Sequence, residues 1–252
     1  MPGVSAAAEV VLLLAAGVGA GITGYGAGLA SLVSYPALLA VGLSPLAANA
    51  TNTAALTGVA LGGVSSARQE LVGTRARLVR FGAAGLVGGA AGALLLVVLP
   101  ESTFAAVVPW LVALGSVVLL LRPWLRRLHG GRISERGPLA VGTVTLLAVY
   151  GGYFGAGAGT LVIATLSLVL TEPLARIAAL RAVVLGLANI VATVVFVLRG
   201  LVDWPAAVPL AVGMAVGAAL APRIVRRLPE VVVRVSIAVA GLGLAVFLAL
   251  QR

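Results

Sequence analysis

The stretch GITGYGAGLASLVSYPALL, from Gly21 to Leu39, carries glycine at nearly every second position and then becomes apolar. A second stretch, GGYFGAGAGTLVIATLSLVL from Gly151 to Leu170, resembles it. Each glycine weakens a helix by about 1 kcal/mol relative to alanine. Glycine clusters inside apolar segments therefore predict helices that are interrupted at both places, and the fold depends on what these interruptions do.

The composition around the two clusters is that of a membrane protein. Of the 252 residues, 61% are hydrophobic and only 10% are charged, and the mean hydropathy is +1.17. A soluble domain needs about 25% charged residues to cover its surface. The composition therefore predicts an all-α polytopic membrane protein whose main surroundings are the lipid bilayer.

The distribution of positive charge also indicates a membrane protein. The net charge is +10, and all 17 basic residues are arginines that lie mostly in short loops between apolar runs. This distribution is typical of membrane topology, so we expect no nucleic-acid partner. The first nine residues contain no lysine or arginine, which argues against a cleaved secretory signal peptide.

Apolar runs divide the chain into membrane-length segments. A spanning helix needs about 20 residues, and six runs have that length: Pro45–Ser66, Val79–Leu99, Ser102–Leu121, Leu174–Leu198, Pro205–Ala221 and Val231–Leu250. Two longer stretches, Glu9–Gly42 and Pro138–Thr171, contain the glycine clusters. Each is too long for one ordinary span and too short for two, so we expect a glycine-broken hairpin or helix in each.

The two halves of the chain align with each other. A shift of 131 places Gly24, Gly26 and Gly28 on Gly155, Gly157 and Gly159, and near the end of each half the shift becomes 129. We interpret this as one unit used twice, as in many transporters, although abundant glycine and alanine can imitate a repeat. The predicted division is a first transmembrane repeat, a basic cytoplasmic loop and a second repeat, at 1–122, 123–137 and 138–252.

Loop charge indicates how the halves are oriented. Basic loops favour the cytoplasm, and arginines concentrate in the segments 68–80, 122–136 and 223–227. If each glycine-split stretch crossed fully, the last of these loops would lie outside. If each is a hairpin followed by three full spans, the halves form an inverted repeat with all three loops inside. We favour the inverted repeat, which places the N-terminus outside.

The interruptions themselves predict a binding site. A broken helix leaves N–H groups at the start of its second part, and these attract anions. Two breaks that meet near the midplane give the usual place for a transporter substrate. The predicted substrate-binding residues are Thr23, Gly24, Tyr25, Gly26, Gly28, Asn49, Asn52, Gly155, Gly157, Gly159, Thr160 and Arg181. The alternative is that the glycines only allow close helix packing.

Arg181 carries most of this prediction, because it lies about two turns inside an apolar segment. A guanidinium at that depth costs several kcal/mol unless it is paired or wet. Its partner is a bound anion, or Glu172, or the membrane interface that it reaches by snorkelling. The sequence does not favour an enzyme. The chain has no cysteine, and its one histidine, His129, lies among loop arginines. We therefore expect no catalytic residues, no cofactor and no metal.

The sequence resembles the sulfite exporter TauE/SafE family of bacterial membrane proteins. The resemblance rests on GAGITGYGAGLASLVSYPALLAVGLSPLAANATNTAA (Gly19–Ala55), on the weaker repeat of it at Gly151–Leu170 and on the basic central loop. It covers essentially the whole chain. The second half departs from the first: it has Ser167 in place of Pro36, and a shift of 131 sets Leu180 and Val183 opposite Asn49 and Asn52. The two half-sites are therefore unequal.

The resemblance implies a multi-pass transporter of small anions in the bacterial cytoplasmic (inner) membrane. Sulfite, sulfonates and related organosulfur anions are the substrates it suggests. From this and from the residues, we expect a secondary transporter that works by alternating access around the two glycine-rich breaks. The alternatives are an anion channel and a non-transporting membrane scaffold subunit, and a homo-oligomer is left open.

Overall fold

A computed structural model of the chain describes residues 6–66, 69–125, 134–225 and 230–250. Within these ranges all regular secondary structure is helical, and no β-strand occurs. The first half contains α1 (Ala6–Ala27), α2 (Ser31–Ala40), α3 (Pro45–Ser66), α4 (Arg75–Val98) and α5 (Glu101–Leu125). The second half contains α6 (Pro138–Tyr153), α7 (Ala158–Val169), α8 (Leu174–Leu198), α9 (Trp204–Val225) and α10 (Glu230–Leu250).

The six predicted spans all appear as helices. α3 and α8 have the predicted bounds, and the other four begin and end within four residues of them. Among the described residues, five segments are long and apolar enough to cross a membrane: Ala6–Gly24, Arg75–Val98, Glu101–Leu121, Leu174–Leu198 and Trp204–Ala221. The chain is therefore a helical, multi-pass membrane protein.

Each glycine-split stretch forms two helices, but the first interruption does not lie where the glycine cluster begins. α1 continues through Gly24 and Gly26 to Ala27, and the chain turns at Gly28, whose φ is +70°. In the second half Gly155 and Gly157 have φ values of +79° and +77°, and α7 starts directly after them. Positive φ is easy only for glycine, so the chain turns at these residues.

The helices of one half pack on helices of the other. α1 packs on α9, and its counterpart α6 packs on α4. In the same way, α3 packs on α9 and α8 packs on α4. A Cβ placed on Gly17 of α1 would meet the backbone of Gly213 in α9, and one on Gly92 of α4 would meet that of Gly152 in α6. Glycine lets these backbones approach closely, as in other membrane helix pairs.

The glycine contacts also give the direction of each pair. Along α1, Gly17 and then Gly21 lie against Gly213 and then Gly217 of α9, so these two helices run the same way. Along α4, Gly88 lies against the segment 145–149 of α6, and Gly92 against 149–153. α4 and α6 therefore also run the same way, and the pairing is alike in the two halves.

A cluster of ion pairs, the ionic cluster, joins helix ends at one end of the molecule. Arg77, at the start of α4, donates through Nε to Glu135 at 2.7 Å and through Nη1 to Glu172 at 2.5 Å. Arg176, at the start of α8, donates to the other oxygen of Glu172 at 2.7 Å. Glu135 lies just before α6, and Glu172 lies between α7 and α8. The α6–α7 unit therefore begins and ends at the same end of the molecule.

Candidate binding site at the two helix interruptions

The two interruptions meet inside the molecule. A Cβ placed on Gly159, in the first turn of α7, would lie 2.7 Å from Cα of Gly28, the turn residue between α1 and α2. Real Cβ atoms do not approach a backbone carbon so closely, so both positions need glycine. At Gly28 the positive φ adds a second reason, since other residues are strained in that conformation. The closest approach of the two halves at their breaks is therefore a backbone contact.

Arg181 of α8 reaches this contact. A Cβ placed on Gly28 would lie 2.6 Å from its Nη1 atom, and one on Gly159 would lie 3.0 Å from it. Nη1 also donates a long hydrogen bond of 3.5 Å to the carbonyl oxygen of Gly24, in the last turns of α1. The guanidinium thus lies beside both interruptions, on the side where α1 ends.

Glu172, the acidic partner considered for Arg181, is held elsewhere. It accepts hydrogen bonds from Arg77 and Arg176. The hydrogen bond from Arg77 and, to a lesser extent, that from Arg176 hold the pKa of Glu172 below its usual range. This carboxylate belongs to the ionic cluster at the end of the molecule, and Arg181 lies at the interruptions.

A cavity of about 90 Å³ opens beside Arg181. The two interruptions and the facing helices α3 and α8 line it. Its polar side chains are Ser31, Arg181 and Asn189, and Arg181 is the only charged residue in the described lining. The remaining lining is glycine, alanine and branched aliphatic: Gly24, Gly28, Ala30, Leu56, Val59, Ala60, Gly151, Gly155, Ala158, Gly159, Ala182, Leu185 and Gly186.

Asn52 lies behind this lining and holds α2. Its Nδ2 donates to the Ser31 hydroxyl at 3.2 Å, and its Oδ1 accepts from the Ser34 hydroxyl at 2.5 Å. Asn52 and Ser34 are at most 1% exposed, and Ser31 is 6% exposed. Asn52 was predicted to contact substrate, but in the structure its polar atoms contact these two serines.

Asn49 has a comparable role toward the second interruption. Its Nδ2 donates at 2.8 Å to the carbonyl oxygen of Tyr153, the last residue of α6. The next residue, Phe154, packs its ring edge-to-face on Tyr35 of α2, with 5.3 Å between ring centres. α3 and α2 of the first half thus hold the end of α6 in the second half, and Asn49 is not part of the cavity lining.

The remaining predicted residues are placed in different surroundings. Thr23 bonds to carbonyl oxygens of its own helix, at Gly19 and Ala20. Gly157 packs against Gly115 of α5, and Thr160 is buried in the first turn of α7. Two further residues, Tyr25 and Gly26, lie in α1, but their surroundings are outside the described part of the structure. Of the predicted set, the cavity brings together Gly24, Gly28, Gly155, Gly159 and Arg181.

The sequence prediction omitted Ser31, Asn189 and the aliphatic lining. One signal was present: Arg181, Leu185 and Asn189 follow each other at intervals of four on α8, which places them on one helix face. All three line the cavity. Ser31 had no comparable signal, because its place in the lining depends on the turn at Gly28.

Both α3 and α8 contribute lining residues at intervals of four. These are Leu56 and Ala60 of α3, and Leu185 and Asn189 of α8.

A helical, multi-pass protein whose central cavity presents a guanidinium belongs to the class of membrane proteins that handle polar ligands within the bilayer. Comparison with family models narrows this class. Residues 10–248 match the model described as sulfite exporter TauE/SafE, and the chain belongs to that family. It is accordingly a membrane transporter of a family that acts on sulfur anions. Neither the curated proteins nor the solved structures gave a match.

Proposed function

We propose that the protein is a secondary transporter that binds a small sulfur oxyanion or sulfonate in the cavity beside Arg181. The observation that carries the proposal is the position of this guanidinium, next to the contact of Gly28 and Gly159. Arginine is also well suited to anions with several oxygens, because its planar guanidinium offers several N–H donors in a fixed arrangement.

The charge of the cavity supports an anionic ligand. Its described lining contains one cationic side chain and no carboxylate. A guanidinium attracts anions, so an oxyanion would bind beside Arg181. Leu56, Val59 and Leu185 would contact a small apolar substituent such as the carbon of a sulfonate.

The helix ends at the cavity also favour a negatively charged ligand. α2 starts at Ser31 and α7 starts at Ala158, and both residues are in the lining. The first N–H groups of a helix attract anions. The opposite end of α1 contributes carbonyl oxygens, and the one at Gly24 accepts the hydrogen bond from Arg181. The carbonyl end of α1 is thereby partly screened from a bound anion.

Helix directions support an inverted repeat. Gly85 and Gly89 of α4 lie against Val184 and Ala188 of α8, so α4 runs the same way as α8 as well as α6. Thr51 accepts a hydrogen bond from the N–H of Asp203, and Gly58 lies against Ala211, so α3 runs with α9 as α1 does.

These directions divide the helices into two groups, α1, α3 and α9 in one and α4, α6 and α8 in the other. We infer that the groups run in opposite directions, because short loops join the long helices α3 to α4 and α8 to α9. Each helix and its counterpart then lie in opposite groups, as an inverted repeat requires. The α1–α2 and α6–α7 units are hairpins that enter from opposite sides, and the arginine-rich loops face the cytoplasm.

This arrangement supports a mechanism of alternating access. The close glycine contacts join α1 to α9 and α4 to α6, so each pair would move as one body. A rocking motion between the two bodies would expose the cavity to one side and then to the other, as in other inverted-repeat transporters. The two interruptions would lie on the axis of that motion.

Flux into proteoliposomes tests the proposal. The purified full chain should show saturable uptake of sulfite or methanesulfonate, with counterflow. Arg181→Gln should reduce uptake by about tenfold or more, since a hydrogen bond to a charged group is worth about 1.5–3 kcal/mol. Arg199→Gln is the matched control, because Arg199 is an exposed arginine at the end of the same helix. Uptake by Arg181→Gln equal to that of the control would contradict the site, and ohmic currents would identify a channel.

A further inference from the structure

We propose that Ser31 is a second ligand donor of this site and that Asn52 is its positioning residue. The inference rests on the proposed function, because it concerns the same cavity and the same anion. The first half supplies a neutral hydroxyl donor, and the second half supplies the guanidinium. The oxygen-rich head group of the ligand then bridges the two halves.

The hydrogen bonds of Asn52 involve both serines of α2. The amide oxygen of Asn52 faces Ser34, and its amide nitrogen donates to the Ser31 hydroxyl at 3.2 Å.

With this orientation Ser31 accepts from Asn52 and keeps its own proton. A hydroxyl has one donor and two acceptor positions. Among the described residues the bond from Asn52 is the one hydrogen bond of the Ser31 side chain. The side chain is 6% exposed and lines the cavity. Its proton is therefore available to an acceptor in the cavity, and Asn52 prevents it from turning back toward α3.

The two halves supply different donors to the cavity. Asn52 lies on α3 of the first half and Arg181 lies on α8 of the second half. Arg181 extends to the interruptions itself, whereas the shorter Asn52 acts through Ser31. Together Arg181 and Ser31 give one charged and one neutral donor in the lining of a cavity of about 90 Å³. An anion with several acceptor oxygens on one centre, such as sulfite or a sulfonate, can accept hydrogen bonds from both.

Binding to the detergent-purified full chain tests the inference. Methanesulfonate affinity is measured by isothermal titration calorimetry for Ser31→Ala, Ser31→Thr and Ser167→Ala. The last is a matched control, because Ser167 is a buried serine whose hydroxyl donates to Ile163 of its own helix. We expect about a tenfold loss of affinity for Ser31→Ala. Ser31→Thr keeps the hydroxyl and should stay within about threefold of wild type, as should the control.

A double variant tests the positioning role. If Asn52 acts through Ser31, Asn52→Ala weakens binding in the wild-type background but adds nothing to Ser31→Ala, since coupled residues are non-additive. A purely structural role would lower the melting temperature of the unliganded protein and weaken binding equally in both backgrounds. Additive losses of affinity would therefore overturn the positioning role.

The outcomes separate this inference from the proposed function. If wild type binds neither methanesulfonate nor sulfite, the proposed function fails. If wild type binds, Arg181→Gln does not and Ser31→Ala binds as tightly as wild type, the function stands and the Ser31 inference is wrong.

Discussion

The central cavity and the ionic cluster both place arginines at the surface of apolar helices, but they treat the charge differently. In the cluster Arg77 and Arg176 lie within 2.7 Å of the carboxylate oxygens that they contact. At the cavity Arg181 contacts a backbone carbonyl at 3.5 Å, and the described lining contains no acid. The difference shows that arginines occur in two settings in this protein: ion pairs join helix ends in the cluster, and a guanidinium lines the cavity at the two interruptions.

The two regions should therefore respond differently to mutation. Changes at the cavity should reduce anion binding while the protein stays folded. Changes in the cluster should lower stability and leave anion affinity nearly unchanged, because the cluster is at the helix ends and away from the cavity lining.

Gly28→Val should cause the largest loss. The new side chain would meet Arg181 and Gly159, and it would force a β-branched residue to a φ of +70°. Crowding and backbone strain together cost at least about 2 kcal/mol, so we expect methanesulfonate transport to fall by about thirtyfold or more. Proteoliposome uptake measures the effect.

Gly200→Val is the control for backbone strain. Gly200 has a similar φ of +66°, but a Cβ placed there meets no atom within 4 Å. This variant should lose some thermal stability and keep its transport. Equal transport by the two variants would mean that the contact of the interruptions does not matter for function.

Much of this fold could be predicted from the sequence, because lipid imposes strong rules. The apolar runs predicted α3 and α8 with their bounds, since a span needs about 20 apolar residues. The exact turn in the first half could not be predicted: glycines at 24, 26 and 28 are alike in sequence, and only packing selects Gly28 as the residue with positive φ.

The candidate site was less predictable, because polar residues near a break can face either the cavity or the supporting helices. Arg181 was singled out because an arginine inside an apolar run is costly, and it does line the cavity. Asn49 and Asn52 were predicted to bind substrate together with Arg181. Their short side chains instead bond to Tyr153 and to two serines of α2, contacts that depend on how the helices pack.

Arg77→Gln tests the other side of the comparison. Removing this guanidinium leaves Glu135 and Glu172 without a shared partner, at side-chain exposures of 29% and 18%. For such partly exposed pairs we expect a loss of about 1 kcal/mol, or a melting temperature lower by a few degrees. Arg75→Gln, at an exposed arginine in the same turn, should change little. A loss of methanesulfonate affinity in Arg77→Gln would mean that the ionic cluster affects binding in the cavity, which would contradict the separation of the two regions.

The pH dependence of stability should show the smallest effect. The pKa of Glu172 is lowered by its hydrogen bonds with Arg77 and Arg176. A carboxyl with a lowered pKa stabilises the fold at pH values above its unfolded pKa, and this contribution is lost as the pH falls through the folded value. The melting-temperature difference between wild type and Glu172→Gln should therefore be present at neutral pH and shrink toward about pH 3. A difference that is constant over this range would mean that ionisation of Glu172 contributes nothing.

The central claim is that an anion binds where the two interruptions meet. Selenite, which has the shape and charge of sulfite, can be located by anomalous diffraction from crystals of the full chain grown with it. The account predicts one selenium peak inside the cavity, within hydrogen-bonding reach of Arg181 and Ser31 and beside the Gly28–Gly159 contact. A transport-competent protein whose only selenium peak lay elsewhere, for example at the arginines of the ionic cluster, would contradict it.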